Sequence, residues 1–214
     1  MIKIAPSLAS APFTNLGHLI TELESAGADI LHFDIEDGNF VPVMTLGTRL
    51  ISELRPLTKL PFDVHLMMLN PEWLIPQLAD LGANMVSVHF EVCTNPKGAL
   101  GIIRHHGMKA GLAFNPKTKL PDLNYCVDFL DFILILTSEP ESQQAVYLPK
   151  IISKVIEGKK ILQMKGIEWA VDGGINNENI ADSIRAGVDI VVSGRGIFQG
   201  RDIRENIRKM KNLS

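Results

Sequence analysis

A short motif recurs along the chain and sets what it can fold into. Ala26-Gly27-Ala28-Asp29-Ile30-Leu31, Leu81-Gly82-Ala83-Asn84-Met85-Val86 and Ala186-Gly187-Val188-Asp189-Ile190-Val191 share one pattern, with His106-Gly107-Met108-Lys109-Ala110 as a looser copy. In each, a glycine suited to the left-handed position after a helix precedes an apolar run that lacks polar alternation. A strand without a polar face is covered on both sides. The motif therefore marks the joint from helix to strand in a parallel sheet, and its repetition calls for a fold assembled from βα units.

Similar apolar runs predict strands at Ile2–Pro6, Ile30–Ile35, Phe62–Leu66, Met85–His89, Ala110–Phe114, Phe132–Leu136, Glu168–Val171 and Ile190–Val192. Helical patterns fall between and after them, near Leu16–Ser25, Thr48–Leu54, Glu72–Leu81, Lys97–His106, Asp122–Tyr125, Lys150–Glu157, Asn179–Ala186 and Ile203–Lys211. Eight such units within 214 residues fit a single-domain (β/α)8 TIM barrel spanning residues 1–214, whose active site gathers at the C-terminal ends of the strands. A doubly wound sheet is the rival, but it would spread strands two, three and seven along an open edge.

Composition narrows the function classes. With 46% hydrophobic residues the chain can bury a large core, and a net charge of −3 without a long basic run excludes the electrostatic footprint of a nucleic-acid binder. Cys93 and Cys126 form no CxxC pattern, so neither a disulfide framework nor a zinc knuckle is expected. The N-terminus enters a strand at once, and no run of about 18 apolar residues follows, so the expectation is a cytoplasmic protein without a membrane span.

Two imidazoles and two carboxylates stand where predicted strands end: His32, Asp34, His65 and Asp172. The strand period of two puts His32 and Asp34 on one face, so the set could hold one divalent metal and leave two carboxylates for acid and base work. The alternative is that the histidines are satisfied by backbone and the aspartates form turns. Asp63 shares the face of His65 and suits a supporting hydrogen bond, whereas Asp37, before Gly38, reads as a turn residue. His89 and Glu91 repeat the i, i+2 pattern after strand four and could line the mouth. Ser7 has no neighbouring base in sequence and suits contact with a substrate hydroxyl better than nucleophilic attack.

Ala5-Pro6-Ser7-Leu8, His32-Phe33-Asp34-Ile35-Glu36-Asp37-Gly38-Asn39-Phe40-Val41-Pro42, Asp63-Val64-His65-Leu66-Met67-Met68, Asn115-Pro116 and Val171-Asp172-Gly173-Gly174-Ile175, in this order and spacing, resemble the ribulose-phosphate 3-epimerase family. The resemblance implies a carbohydrate epimerase in which His32, Asp34, His65 and Asp172 bind a catalytic divalent ion, while Asp34 and Asp172 exchange the proton; a set of two histidines and two aspartates accepts Zn, Fe(II), Mn or Co. It further implies that Ser7, His65, Gly173, Gly174 and the loop at Gly194 contact a sugar phosphate, that Met67 walls the site, and that the protein is a homo-oligomer; Arg195 in that loop is expected to contact the phosphate by its own chemistry.

Three positions depart from the family pattern. Glu36 replaces a methionine, Glu141-Ser142-Gln143-Gln144 replaces a Gly-Phe-Gly-Gly phosphate loop, and Gly194-Arg195 replaces Gly-Ser. These changes resemble a divergent Sgc-type branch of sugar epimerases and concern specificity, since lost glycines weaken one phosphate clamp and an arginine can pair bidentately with phosphate. Ribulose 5-phosphate and xylulose 5-phosphate are the default substrates. A hexulose 6-phosphate or another ketose, and a catalytically lapsed barrel that only binds sugar phosphate, are the alternatives. Aldolase or decarboxylase chemistry lacks the strand-end lysine it needs, because strand two reads Asp34-Ile35-Glu36.

Overall fold

The glycines of the recurring motif do turn left-handed: φ is +91° at Gly27, +82° at Gly82, +77° at Gly107 and +74° at Gly187. The computed structural model describes residues 2–140, 146–162, 166–200 and 202–213. Each motif closes a helix and opens a strand. Its polar fourth residue does a second job. Asp29 Oδ2 accepts the Ile4 amide, Asn84 Oδ1 that of Phe62, and Asp189 Oδ2 that of Trp169, each at 2.8 Å. The amides of Asp29, Asn84 and Asp189 in turn donate to the carbonyls of Ile4, Phe62 and Trp169. Asp131 makes the same reciprocal pair with Ala110, so each odd-numbered strand is pinned to the even strand that follows it.

The strands are β1 (Lys3–Pro6), β2 (Leu31–Glu36), β3 (Phe62–Met67), β4 (Met85–His89), β5 (Lys109–Phe114), β6 (Phe132–Leu136), β7 (Glu168–Asp172) and β8 (Ile190–Ser193). They form one parallel sheet in the order β1-β8-β7-β6-β5-β4-β3-β2. Between β1 and β2 the seam closes through a parallel bridge from Ser7 to His32 and the Asp29 amide on Ile4, which completes the (β/α)8 barrel. The helices are α1 (Leu16–Ser25), α2 (Thr48–Leu54), α3 (Ile75–Asp80), α4 (Pro96–His105), α5 (Ser153–Leu162), α6 (Ile180–Arg185), α7 (Arg195–Phe198) and α8 (Ile203–Asn212). Among the described residues no helix is long and apolar enough to cross a membrane.

Two expectations need correction. Asp122–Tyr125 is not a helix: Asp122 Oδ1 accepts the Asn124 amide in a tight turn, and a single 3₁₀ turn follows at Val127–Phe129. Four residues after Pro121 are too few to repay helix nucleation once an aspartate offers the backbone another partner. The stretch expected as one helix over Glu72–Leu81 is a 3₁₀ turn at Pro71–Trp73 followed by α3, since Pro76 cannot donate into a continuous ladder. The residues 141–144 that replace the glycine-rich loop lie outside the described residues.

Alternation along the strands divides the core. Ile4, Phe33, Val64, Val86, Ile133 and Val191 point outward beneath the helices, whereas Ala5, Met85, Phe132, Leu134, Ile190 and Val192 fill the barrel interior. Phe132 needs Gly111 beside it, because a β-carbon there would lie 2.3 Å from the phenyl ring.

At the end of the barrel opposite the predicted site, side-chain ion pairs join three strands. Glu168 at the start of β7 pairs with Lys3 and, at 2.7 Å, with Lys109. Burial would raise the Glu168 carboxyl, but the hydrogen bonds from Lys109 and Lys3 outweigh it and hold the pKa below its ordinary 4.5. A lowered folded pKa means stability that is present above pH 4.5 and lost as pH falls through the folded value. Glu168→Gln is accordingly expected to cost about 1–2 kcal/mol at pH 7, an order of magnitude set by partly buried charged hydrogen bonds. Urea unfolding checks this: the gap between variant and wild type should shrink as pH falls below 4.5 and through the folded value, and a gap independent of pH would rule out the ion pair as its source.

Candidate active site

Residues 32, 34 and 36 share the inward face of β2, and the register sets their neighbours: His32 lies beside Asp63 and Asp34 beside His65 on β3. Asp172 ends β7. These strands bring His32, Asp34, His65 and Asp172 together, with one ligand atom from each within 4.8 Å of all the others, a grouping that could hold a metal ion. His32 and His65 are fully buried, and Asp34 is 5% exposed.

The hydrogen bonds show how the rings are aimed. His32 Nδ1 faces Asp63 Oδ2 at 2.8 Å, and its Nε2 faces Asp34 Oδ1 at 3.1 Å. His65 Nδ1 also faces Asp34 Oδ1 at 3.1 Å, while its Nε2 faces His89 Nε2 at 2.9 Å. Side chains, then, and not the backbone, satisfy both histidines. Ser7 donates its hydroxyl to the other oxygen of Asp34 at 2.7 Å, a task that follows from its position at the β1–β2 seam.

The donor set fits a cation. One nitrogen of each ring is engaged behind the cluster, so the other nitrogen, two aspartates and their lone pairs converge where only positive charge reconciles them. The titration behaviour agrees. Burial and the charge of Asp34 push Asp172 up to about 6. His32 rises well above 6.5 because Asp34 and Asp63 outweigh its burial. Asp34 is held far below the usual carboxylate range, since the attraction and hydrogen bonds of His32, with those of His65, outweigh its burial.

Above this cluster opens a cavity of about 570 Å3. Ser7, Asp34, Glu36, Met67 and Asp172 line one part, and Gly173, Gly174, Gly194 and Arg195 line another. Gly173 has φ +119°, and a β-carbon there would lie 2.4 Å from Ser138 Oγ, so backbone approaches the cavity where no side chain fits. At Gly194 a β-carbon would lie 2.3 Å from Ser10 Oγ. His65 is beneath the carboxylates and is not part of the cavity wall.

Glu36 turns its Oε2 to the Thr45 amide at 2.7 Å and so ties down the loop after β2. Burial pushes its carboxyl up, against the hydrogen bond from Thr45. Asp37 is the turn residue its place before glycine suggests: Oδ1 accepts the amides of Asn39 and Phe40, and Oδ2 that of Leu69.

His89 and Glu91, which their spacing allowed at the mouth, are not in the cavity wall. His89 is fully buried behind His65, with Nδ1 3.0 Å from Glu91 Oε2. Glu91 Oε1 accepts the Asn115 amide at 2.8 Å. Sequence reasoning also missed Tyr147, Asn176 and Asn177 in the cavity wall. Asn176 could have been found: it follows a Gly-Gly turn that Asn179 closes, accepting the Asn176 amide and donating to the Gly174 carbonyl.

Comparison with known proteins agrees with this geometry. The pattern of the Ribulose-phosphate 3 epimerase family matches residues 3–198. A ribulose-phosphate 3-epimerase of Bacillus subtilis is 36% identical over 214 residues, covering 99% of each chain. One of Aquifex aeolicus is 38% identical, covering 100% of this chain and 97% of its own. Among solved structures, 3-hexulose-6-phosphate synthase from Salmonella typhimurium superposes with a TM-score of 0.75 at 17% identity, covering 99% of this chain and 98% of its own, a likeness of fold alone. Barrel, strand-end cluster and similarity over nearly the full length converge: the chain belongs to the ribulose-phosphate 3-epimerase family, isomerases that epimerise carbohydrates.

Proposed function

We propose that the chain interconverts D-ribulose 5-phosphate and D-xylulose 5-phosphate, with one divalent ion held by His32, Asp34, His65 and Asp172. The meeting of these four residues under the cavity carries the reading. Bound there, Zn²⁺, Fe²⁺, Mn²⁺ or Co²⁺ supplies positive charge against the negative charge that develops on the substrate oxygens.

The chain's own residues do the rest. One aspartate of the pair Asp34 and Asp172 takes the C3 proton, the C3–H electrons pass into the C2 carbonyl, and a planar enediolate forms. The other aspartate returns a proton to C3 from the opposite face, and the electron pair returns with it to carbon. Ser7 holds Asp34 in place through its hydroxyl. Met67 and Leu136 give the cavity an apolar wall that limits water near the reacting carbon. Arg195, with the backbone around Gly173, Gly174 and Gly194, receives the phosphate.

A second reading, a 3-epimerase for hexulose 6-phosphates, is favoured by Glu36: its carboxylate lines the cavity two residues beyond Asp34 and can accept an additional sugar hydroxyl. Phosphorus and proton NMR of the metal-loaded protein with a panel of ketose 5- and 6-phosphates separates the two. Conversion of ribulose 5-phosphate to xylulose 5-phosphate at the highest kcat/KM is expected. A preference for a hexulose 6-phosphate transfers the assignment to the second reading, and no conversion of any sugar contradicts both.

A further inference from the structure

A row of hydrogen bonds runs away from the metal-ligand cluster into the barrel wall and ends on backbone. His65 Nε2 meets His89 Nε2 at 2.9 Å, His89 Nδ1 meets Glu91 Oε2 at 3.0 Å, and Glu91 Oε1 accepts the Asn115 amide at 2.8 Å. The Asn115 carbonyl accepts Lys154 Nζ at 3.0 Å, and Phe40 packs on the His89 ring with centroids 4.5 Å apart. Neither imidazole is exposed to solvent, so water cannot substitute for a missing partner.

From these contacts we infer that His89 and Glu91 are positioning residues that fix the tautomer of His65 and so present its bare Nδ1 to the metal seat. The inference rests on the metal-dependent reading above, and its logic is proton counting. Two ring nitrogens 2.9 Å apart share one hydrogen, so one donates and the other accepts. If His89 Nε2 donated, a neutral His89 would turn a bare Nδ1 toward the Glu91 carboxylate, lone pair against lone pair. With its proton on Nδ1, His89 donates to Glu91 instead and leaves Nε2 as the acceptor. His65 then carries its own proton on Nε2. Its Nδ1 is then bare toward Asp34 Oδ1 at 3.1 Å, on the side where the four ligand atoms meet; a cation seated there reconciles the lone pair with the carboxylate, whereas without one the Nδ1 proton of His65 serves Asp34.

Glutamate suits the end of this row because both its oxygens accept, one from His89 and one from the Asn115 amide. An amide at position 91 would meet one of those donors with an NH2 group. Asp63 does for His32 what His89 and Glu91 do for His65, through a carboxylate directly on the rear nitrogen. Partners of this kind behind a ligating imidazole are worth about 10- to 100-fold in metal affinity.

The test uses the full chain with ¹⁵N-labelled histidine and two variants. His89→Phe keeps the ring volume against Phe40 but offers His65 no acceptor, and His89→Gln restores an acceptor oxygen. In the Zn²⁺-loaded wild type, long-range ¹⁵N–¹H NMR should show His65 protonated on Nε2 and His89 on Nδ1. Competition with a chromophoric chelator should show Zn²⁺ bound about 10- to 100-fold more weakly by His89→Phe and regained within a few-fold by His89→Gln. A His65 ring protonated on Nδ1 in the Zn²⁺-loaded wild type, or Zn²⁺ affinity unchanged in His89→Phe, overturns the inference. A wild type that binds no Zn²⁺ refutes the metal-dependent reading, and with it the purpose assigned to the relay, by a signal distinct from either.

Discussion

Asp172→Asn is expected to lower kcat for epimerisation by at least about 10³-fold while leaving the barrel folded. Loss of a positioned acid or base costs about 10²- to 10⁴-fold, and in the proposed mechanism Asp172 serves one face of the substrate in both directions of the reaction. The same change removes one ligand oxygen of the cluster. Asparagine nearly matches aspartate in shape, and burial together with the charge of Asp34 already works against ionisation of Asp172. Removing that charge relieves repulsion, so the melting temperature of the metal-free variant should equal or exceed that of the metal-free wild type. Residual activity above about a tenth of wild type would remove Asp172 from the proton pathway. A collapsed melting curve would instead make its role structural.

Stripping the protein with a chelator is expected to abolish epimerisation, and one equivalent of divalent ion per chain should restore it. Stability should move in the same direction. An ion at a hundred times its Kd stabilises the folded state by about 2.7 kcal/mol, which for a chain of this size is on the order of 5–10 °C in melting temperature. His65→Ala should remove both the thermal shift and the activity, since it deletes one ligand and leaves the buried carboxylate of Asp34 without that imidazole. Full activity in stripped protein, verified by elemental analysis, would contradict the assignment of this cluster as a working metal site.

Much of this was legible in the chain because parallel barrels write their joints locally. Gly27, Gly82 and Gly187 mark the ends of helices by a backbone requirement that short-range sequence reveals, and the apolar runs after them are strands for lack of a polar face. His32 and Asp34 could be placed on one face from their spacing, and Asp172 from its position before two glycines. What stayed hidden depends on neighbours distant in sequence. The bond from His89 to His65 requires the β3–β4 pairing, and the turn of Glu91 toward Asn115 requires the end of β5. The reciprocal pinning by Asp29, Asn84, Asp131 and Asp189 was equally invisible, since each partner lies 20 to 25 residues away. At Asp122–Tyr125 a local signal misled, because helical pattern counts for little where a side chain competes for the backbone.

The most direct test is to incubate the metal-loaded protein with D-ribulose 5-phosphate in D2O and follow the substrate protons by NMR. Removal of a proton and its return by carboxylates in exchange with solvent predicts deuterium at C3 of both ribulose and xylulose 5-phosphate, with the protons at C1, C4 and C5 retained. Exchange at C1, or no exchange in a sample shown to hold its ion, would contradict an enediolate epimerase built on Asp34 and Asp172.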